Sequence, residues 1–283
     1  MTSHHSFPKP KNSAGRDLKA AITTGIVLGG LAILGIFFVP YGWQMVVSAF
    51  VAMGLWEASK RLNEHGHKIP GPLLIVAAEI MVWVQQFLGP SFVVGTMMVS
   101  FLVLCIVHLL RAKHGEFVRD LSISCFLLMW IGLAGVACAD IATMTREGAP
   151  GSHFVTTVIL AIVCNDIGGY VAGVLFGSHP MAPRISPKKS WEGMGGSLVF
   201  GIANGVLCSI FLLHCPFWVG IVLGIGIVIC ATFGDLIESQ FKRELGIKDM
   251  SQILPGHGGA MDRMDSFLPA SMAAWVVMSF IVH

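Results

Sequence analysis

Residues 91–142 read SFVVGTMMVS FLVLCIVHLL RAKHGEFVRD LSISCFLLMW IGLAGVACAD IA. Two apolar runs, 91–110 and 121–142, flank a polar stretch that carries Arg111, Lys113 and Arg119. Each run has roughly the twenty residues that an α-helix needs to cross a hydrocarbon core. A helix also satisfies its backbone polar groups internally, as lipid demands. The stretch therefore reads as two membrane helices joined by a short basic loop.

Working outward, runs of the same kind lie at 20–39, 42–57, 72–88, 154–177, 195–213, 217–238 and 267–282. The expected fold is all-α: a polytopic membrane protein with nine transmembrane helices. The composition agrees. The chain is 54% hydrophobic and 12% charged, with a mean hydropathy of +0.75, more apolar surface than a soluble chain can hide. Residues 1–19 read as a flexible polar tail, 20–152 as N-terminal helices 1 to 5, and 153–283 as helices 6 to 9 with their loops. A net charge of +2 is too small to suggest nucleic acid as a partner. The seven cysteines are scattered, mostly within apolar runs, and form no C-x-x-C pair. They read as small packing residues.

The basic residues set the orientation. Nine helices put every Lys and Arg except Arg146 on one face, seventeen of eighteen. The positive-inside rule makes that face cytoplasmic. The N-terminus is then cytoplasmic and the C-terminus external.

Charges within such helices are costly and usually functional. Glu57 reads as a helix-end anchor and Asp140 as an interfacial residue. Asp166 lies near the middle of its helix, on a face with Gly169, Tyr170 and Gly173. It reads as a polar group lining a cavity, beside a Gly169-Gly173-Gly177 packing seam. In GDLIESQFKR, Asp235, Glu238, Ser239 and Lys242 fall at i, i+3, i+4 and i+7, one stripe of the helix. Asp262 and Asp265 stand three apart just ahead of the last apolar run, where a helix dipole favours negative charge. Capping accounts for one of them, Asp265. Two aspartates here and Asp235 across the loop suit a hard cation, Mg²⁺ bound together with phosphates. The glycines around His257 allow backbone N–H groups to approach an anion. RISPKKSWEG adds Arg184, Lys188 and Lys189 beside Ser186 and Ser190, a patch suited to polyphosphate.

Ser239-x-Phe241-Lys242-Arg243, Lys248-Asp249, Pro255-x-His257-Gly258-Gly259 and Asp262-Arg263-x-Asp265 together resemble the signature of the phosphatidate cytidylyltransferases (CDP-diacylglycerol synthases). GDLIES, ISPKKSWEG and, more loosely, NDIGGY resemble the same family, across about 154–283. Ala260, Ser190 and Ile167-Gly168 depart from its pattern. The resemblance implies that CTP and phosphatidic acid condense to CDP-diacylglycerol and pyrophosphate in phospholipid biosynthesis. It implies a catalytic set of Asp235, Asp262, Asp265, Lys242 and Arg243, with the three aspartates on one or two Mg²⁺ ions and room for a monovalent cation. Substrate contacts would come from Asp166, Ser186, Lys188, Lys189, Ser239, Lys248, Asp249, His257, Gly258, Gly259 and Arg263. The implied setting is a bacterial inner membrane with a cytoplasmic active site, and a homodimer is compatible with it. Two other readings fit the residues: a CTP-dependent lipid or polyprenol kinase, and an ion-coupled transporter with Asp166, Asp235 and Glu238 along its path.

Overall fold

A computed structural model describes residues 18–111, 115–254 and 258–282. Residues 1–17 of the polar tail, Lys113, His257 with Pro255 and Gly256, and His283 lie outside the described residues. The apolar runs fold as helices: α1 Leu18–Phe37, α2 Gly42–Glu64, α3 Gly71–Leu88 and α4 Pro90–Arg111. The next rod is composite. It runs from α5 Phe117–Leu127 through a π-helical stretch, Leu128–Leu133, into α6 Ala134–Asp140 and a 3₁₀ turn, Ile141–Thr143. Then follow α7 Gly151–Phe176, a hairpin of β1 Pro180–Ala182 and β2 Ser186–Ser190, α8 Trp191–Phe211, α9 Phe217–Glu244, the single turn α10 Met261–Met264, and α11 Phe267–Val282.

Among the described residues, seven helical rods are long and apolar enough to cross a membrane: α3, α4, α5–α6, α7, α8, α9 and α10–α11. Nine had been expected. The apolar part of α1, Ile22–Phe37, is shorter. The last third of α2 carries Glu57, Lys60, Arg61 and Glu64, which dilutes its apolar run. The chain is an all-helical polytopic membrane protein apart from the antiparallel hairpin, in which Pro180 faces Ser190 and Ala182 faces Ser186. Pro180, Pro183 and Pro187 exclude a helix there, because proline lacks the N–H and clashes with the preceding turn.

Alternate connections meet at the same end of the bundle. At one end, Arg119 donates to the Gly66 carbonyl, Arg61 to that of Met250 and Arg243 to that of Ile185. At the other, Arg146 donates to the Cys215 sulfur and His153 bonds the Leu212 carbonyl. Asp140 also lies at this second end. It accepts from Gln85 Nε2 at 2.9 Å, Trp275 Nε1 at 2.7 Å and Thr143 Oγ1 at 2.8 Å, and so ties three rods together.

Lipid supplies no hydrophobic drive between helices, so they associate by close packing of small residues. A Cβ on Gly205 would stand 2.2 Å from the Gly220 carbonyl oxygen, and one on Gly196 would stand 2.4 Å from that of Gly168. Those contacts bring α8 against α9 and α7 backbone to backbone. The α7 seam therefore centres on Gly168, with Gly169 and Gly173 facing Gly193. Gly177 instead follows the end of α7. The tight α7–α8–α9 unit is the wall on which the polar groups of the signature stand.

Candidate active site

The stripe anticipated on α9 forms, and each member is engaged. Ser239 Oγ donates to Asp235 Oδ1 at 3.2 Å. Lys189, delivered by β2, pairs with Asp235 Oδ2 and donates to the Thr232 carbonyl at 3.4 Å. One turn on, Lys242 Nζ lies 2.5 Å from Glu238 Oε2 and 2.8 Å from Asp262 Oδ1. This is a buried triad: the side chains of Glu238, Asp262 and Lys242 are 0%, 5% and 13% exposed.

Both aspartates bind backbone N–H groups beside a helix start, Asp262 more extensively. Asp262 Oδ2 accepts from Gly259 N at 2.8 Å and Met250 N at 3.0 Å. Gly259 directly precedes Ala260, the N-cap of α10. Asp265 accepts from its neighbour Ser266 N at 2.7 Å. On α7, Asp166 accepts from Asn165 Nδ2 at 3.0 Å, and Ser197 of α8 donates to the Asn165 carbonyl at 2.7 Å.

These elements surround a cavity of about 600 Å³. Of the residues singled out in the sequence, Asp166, Lys188, Lys189, Asp235, Asp262, Arg263 and Asp265 line it. Asn165, Ser197, Thr232 and Ser266 line it too; none was an expected site residue, although Asn165 opens NDIGGY. Lys242 and Ser239 reach it only through the carboxylates they bond. Ser186, Gly258, Gly259, Lys248 and Asp249 are not part of its lining. Arg243 is exposed and turned toward Ile185, because a residue adjacent to Lys242 points about 100° away around a helix. Arg263 and Phe267 border a second cavity of about 230 Å³, lined otherwise by apolar and sulfur-bearing side chains of α1, α2, α6, α7, α10 and α11.

Four carboxylates and three cations on one wall can hold a polyanion and a hard cation together. Among the described residues, no three His, Cys, Asp or Glu side chains converge as a closed metal cage. Mg²⁺ needs no such cage, because it takes one or two carboxylates and completes its shell with water and substrate phosphate. The donors that face the cavity are hard carboxylate oxygens, those of Asp166, Asp235, Asp262 and Asp265. The residues fit the ion.

A family model described as the cytidylyltransferase family matches residues 19–281. A phosphatidate cytidylyltransferase of Mycobacterium bovis is 38% identical over 283 aligned residues, covering 95% of this chain and 90% of that relative. That of Mycobacterium leprae is 37% identical, covering 95% and 89%. That of Haemophilus influenzae is 29% identical, covering 89% and 96%.

The triad predicts a stability effect. Removing one partner of a buried ion pair leaves an uncompensated charge and costs about 3 kcal/mol or more. Lys242→Met leaves two, on Glu238 and Asp262. It should lower unfolding free energy in detergent by at least that amount, and adding Glu238→Gln should return part of it. Wild-type stability in Lys242→Met would remove the triad from the fold's supports.

Proposed function

The chain belongs to the cytidylyltransferase family, and we propose that it joins CTP to phosphatidate, yielding CDP-diacylglycerol and pyrophosphate. One observation carries this beyond the likeness to relatives: a single cavity presents Lys188, Lys189 and Arg263 together with four carboxylates. Two polyanions can share such a space. The Arg263 border with the apolar cavity suits a molecule with a charged head and a greasy tail.

A phosphate oxygen of the lipid attacks the α-phosphorus of CTP. A new P–O bond forms, the bond from the α-phosphorus to the bridging oxygen breaks, and pyrophosphate leaves with that electron pair. Phosphatidate is ionised near neutral pH, so no side chain need remove a proton. Lys188 and Lys189 hold the triphosphate and Arg263 the lipid phosphate, by charge-assisted hydrogen bonds. Lys242 holds the Asp262 carboxylate in place. Asp235, Asp262 and Asp265 would hold one or two Mg²⁺ ions. Bound Mg²⁺ supplies charge neutralisation at the phosphates and Lewis acidity at the reacting phosphoryl group.

Two labels of CTP test the reaction. With purified protein, phosphatidate and Mg²⁺, α-label should enter lipid and γ-label should leave in pyrophosphate, and chelation of Mg²⁺ should stop both. Entry of γ-label into a lipid alcohol, with release of CDP, would instead make the protein a kinase.

The same reading extends to placement: nine crossings of a bacterial inner membrane, the N-terminus and the cavity cytoplasmic, the C-terminus external. The basic asymmetry supports it, since only Arg146 falls on the other face. In a cysteine-free background, Lys248→Cys should be shielded in intact cells. Glu147→Cys and a cysteine appended after His283 should label from outside. Labelling of all three from one side would refute this topology.

A further inference from the structure

Glu57 belongs to the N-terminal half of the chain, far from the signature, yet it is 1% exposed. Its carboxylate is filled by donors from the signature loop. Oε1 accepts from Ser251 Oγ at 2.5 Å and Ala260 N at 3.0 Å, and Oε2 accepts from Met261 N at 2.9 Å. These partners are 194 to 204 residues away in sequence. One helical turn further along α2, Arg61 Nε donates to the Met250 carbonyl at 2.6 Å. The N–H of that same Met250 donates to Asp262 Oδ2, as does that of Gly259. The loop backbone is thus gripped from both sides, by Glu57 and Arg61 of α2 and by the Asp262 carboxylate.

The packing is built around this grip. A Cβ on Gly259 would stand 2.6 Å from Glu57 Oε2. Gly54, three residues before Glu57, lets Met264 of α10 close over α2, since a Cβ there would stand 2.5 Å from the Met264 methyl. Gly54, Glu57 and Arg61 therefore form one stripe against which the loop and α10 seat.

We propose that Glu57 is a positioning residue for cytidylyl transfer. It fixes the backbone at 260–261 and, through the first turn of α10, the direction in which the Asp262 carboxylate faces the cavity. The proposal rests on the functional reading above. A helix-end anchor could end its helix with any polar group; this one must supply two acceptor oxygens to three donors at a fixed place.

Glu57→Gln keeps the shape, but leaves one acceptor oxygen and turns an amide N–H₂ toward a backbone N–H. Loss of a group that orients a metal ligand typically lowers activity or metal affinity by about tenfold or more. Per folded molecule, Glu57→Gln should lower kcat by about that factor and raise the Mg²⁺ concentration for half-maximal rate. Amide exchange across 250–262 should accelerate. A folded Glu57→Gln protein with wild-type kcat and wild-type Mg²⁺ dependence overturns the proposal, even if its melting temperature falls, because Glu57 would then only stabilise. If Glu57→Gln does not accumulate as folded protein, Gly259→Ala carries the same test. Its methyl displaces the carboxylate while every charge stays, and wild-type kinetics there overturn the proposal equally. Wild-type protein measured alongside separates the two readings. Absence of cytidylyl transfer in it refutes the function, whereas transfer that the variant matches refutes only the role of Glu57.

Discussion

A carboxylate as buried as that of Asp262 must have its charge and its lone pairs answered, because an unpaired buried charge costs several kcal/mol. Lys242 answers the charge, and the N–H groups of Met250 and Gly259 answer the second oxygen. Those three partners come from the end of α9, from the loop beyond it and from the threshold of α10. Satisfying one side chain therefore folds the loop between α9 and α10 back over the end of α9. It also delivers Asp262, Arg263 and Asp265 to the wall where Asp235 already stands.

The wall itself depends on the absence of side chains. Where α8 meets α9 and α7, glycine backbones touch glycine backbones, and no flexible group intervenes. A site built on rigid elements holds its groups more closely than one built on loops. Here helices supply Asp166 and Asp235, while the connections are tethered: β2 by the Lys189–Asp235 pair, the described parts of the long loop by Glu57 and Asp262. Pairing Asp235 with Lys189 and Asp262 with Lys242 also gives the cavity its mixed character. Polyphosphate and cation can both enter without either meeting a field of one sign.

Much of this was legible from residue types and spacing. The apolar runs marked the helices, because length and hydropathy are set by the thickness of lipid. The helical period placed Asp235 with Ser239 and Glu238 with Lys242. It could not place Arg243, whose proximity in the motif says nothing of its direction around the helix. Nor could it show that Asp262 as well as Asp265 binds backbone N–H groups, since one of its partners, Met250, lies twelve residues back. The proline-rich hairpin looked like a plain loop because strands of three and five residues are a weak signal beside three prolines. Glu57 read as a helix-end residue because nothing local betrays a bond to residues some two hundred positions later. Asn165, Ser197 and Thr232 carry no charge and break no pattern; only the packing of α7, α8 and α9 brings them to the cavity.

The central claim is that both substrates meet in this one cavity and that the lipid phosphate itself attacks the α-phosphorus, with no side chain becoming covalently attached on the way. The stereochemistry at that phosphorus tests this most directly. CTP carrying sulfur in place of one non-bridging α-oxygen, in a single configuration, would be turned over with phosphatidate and the configuration of the lipid product determined. A single in-line displacement predicts inversion. Retention would mean two displacements through an enzyme-bound cytidylyl group, and would contradict direct transfer between two substrates held side by side.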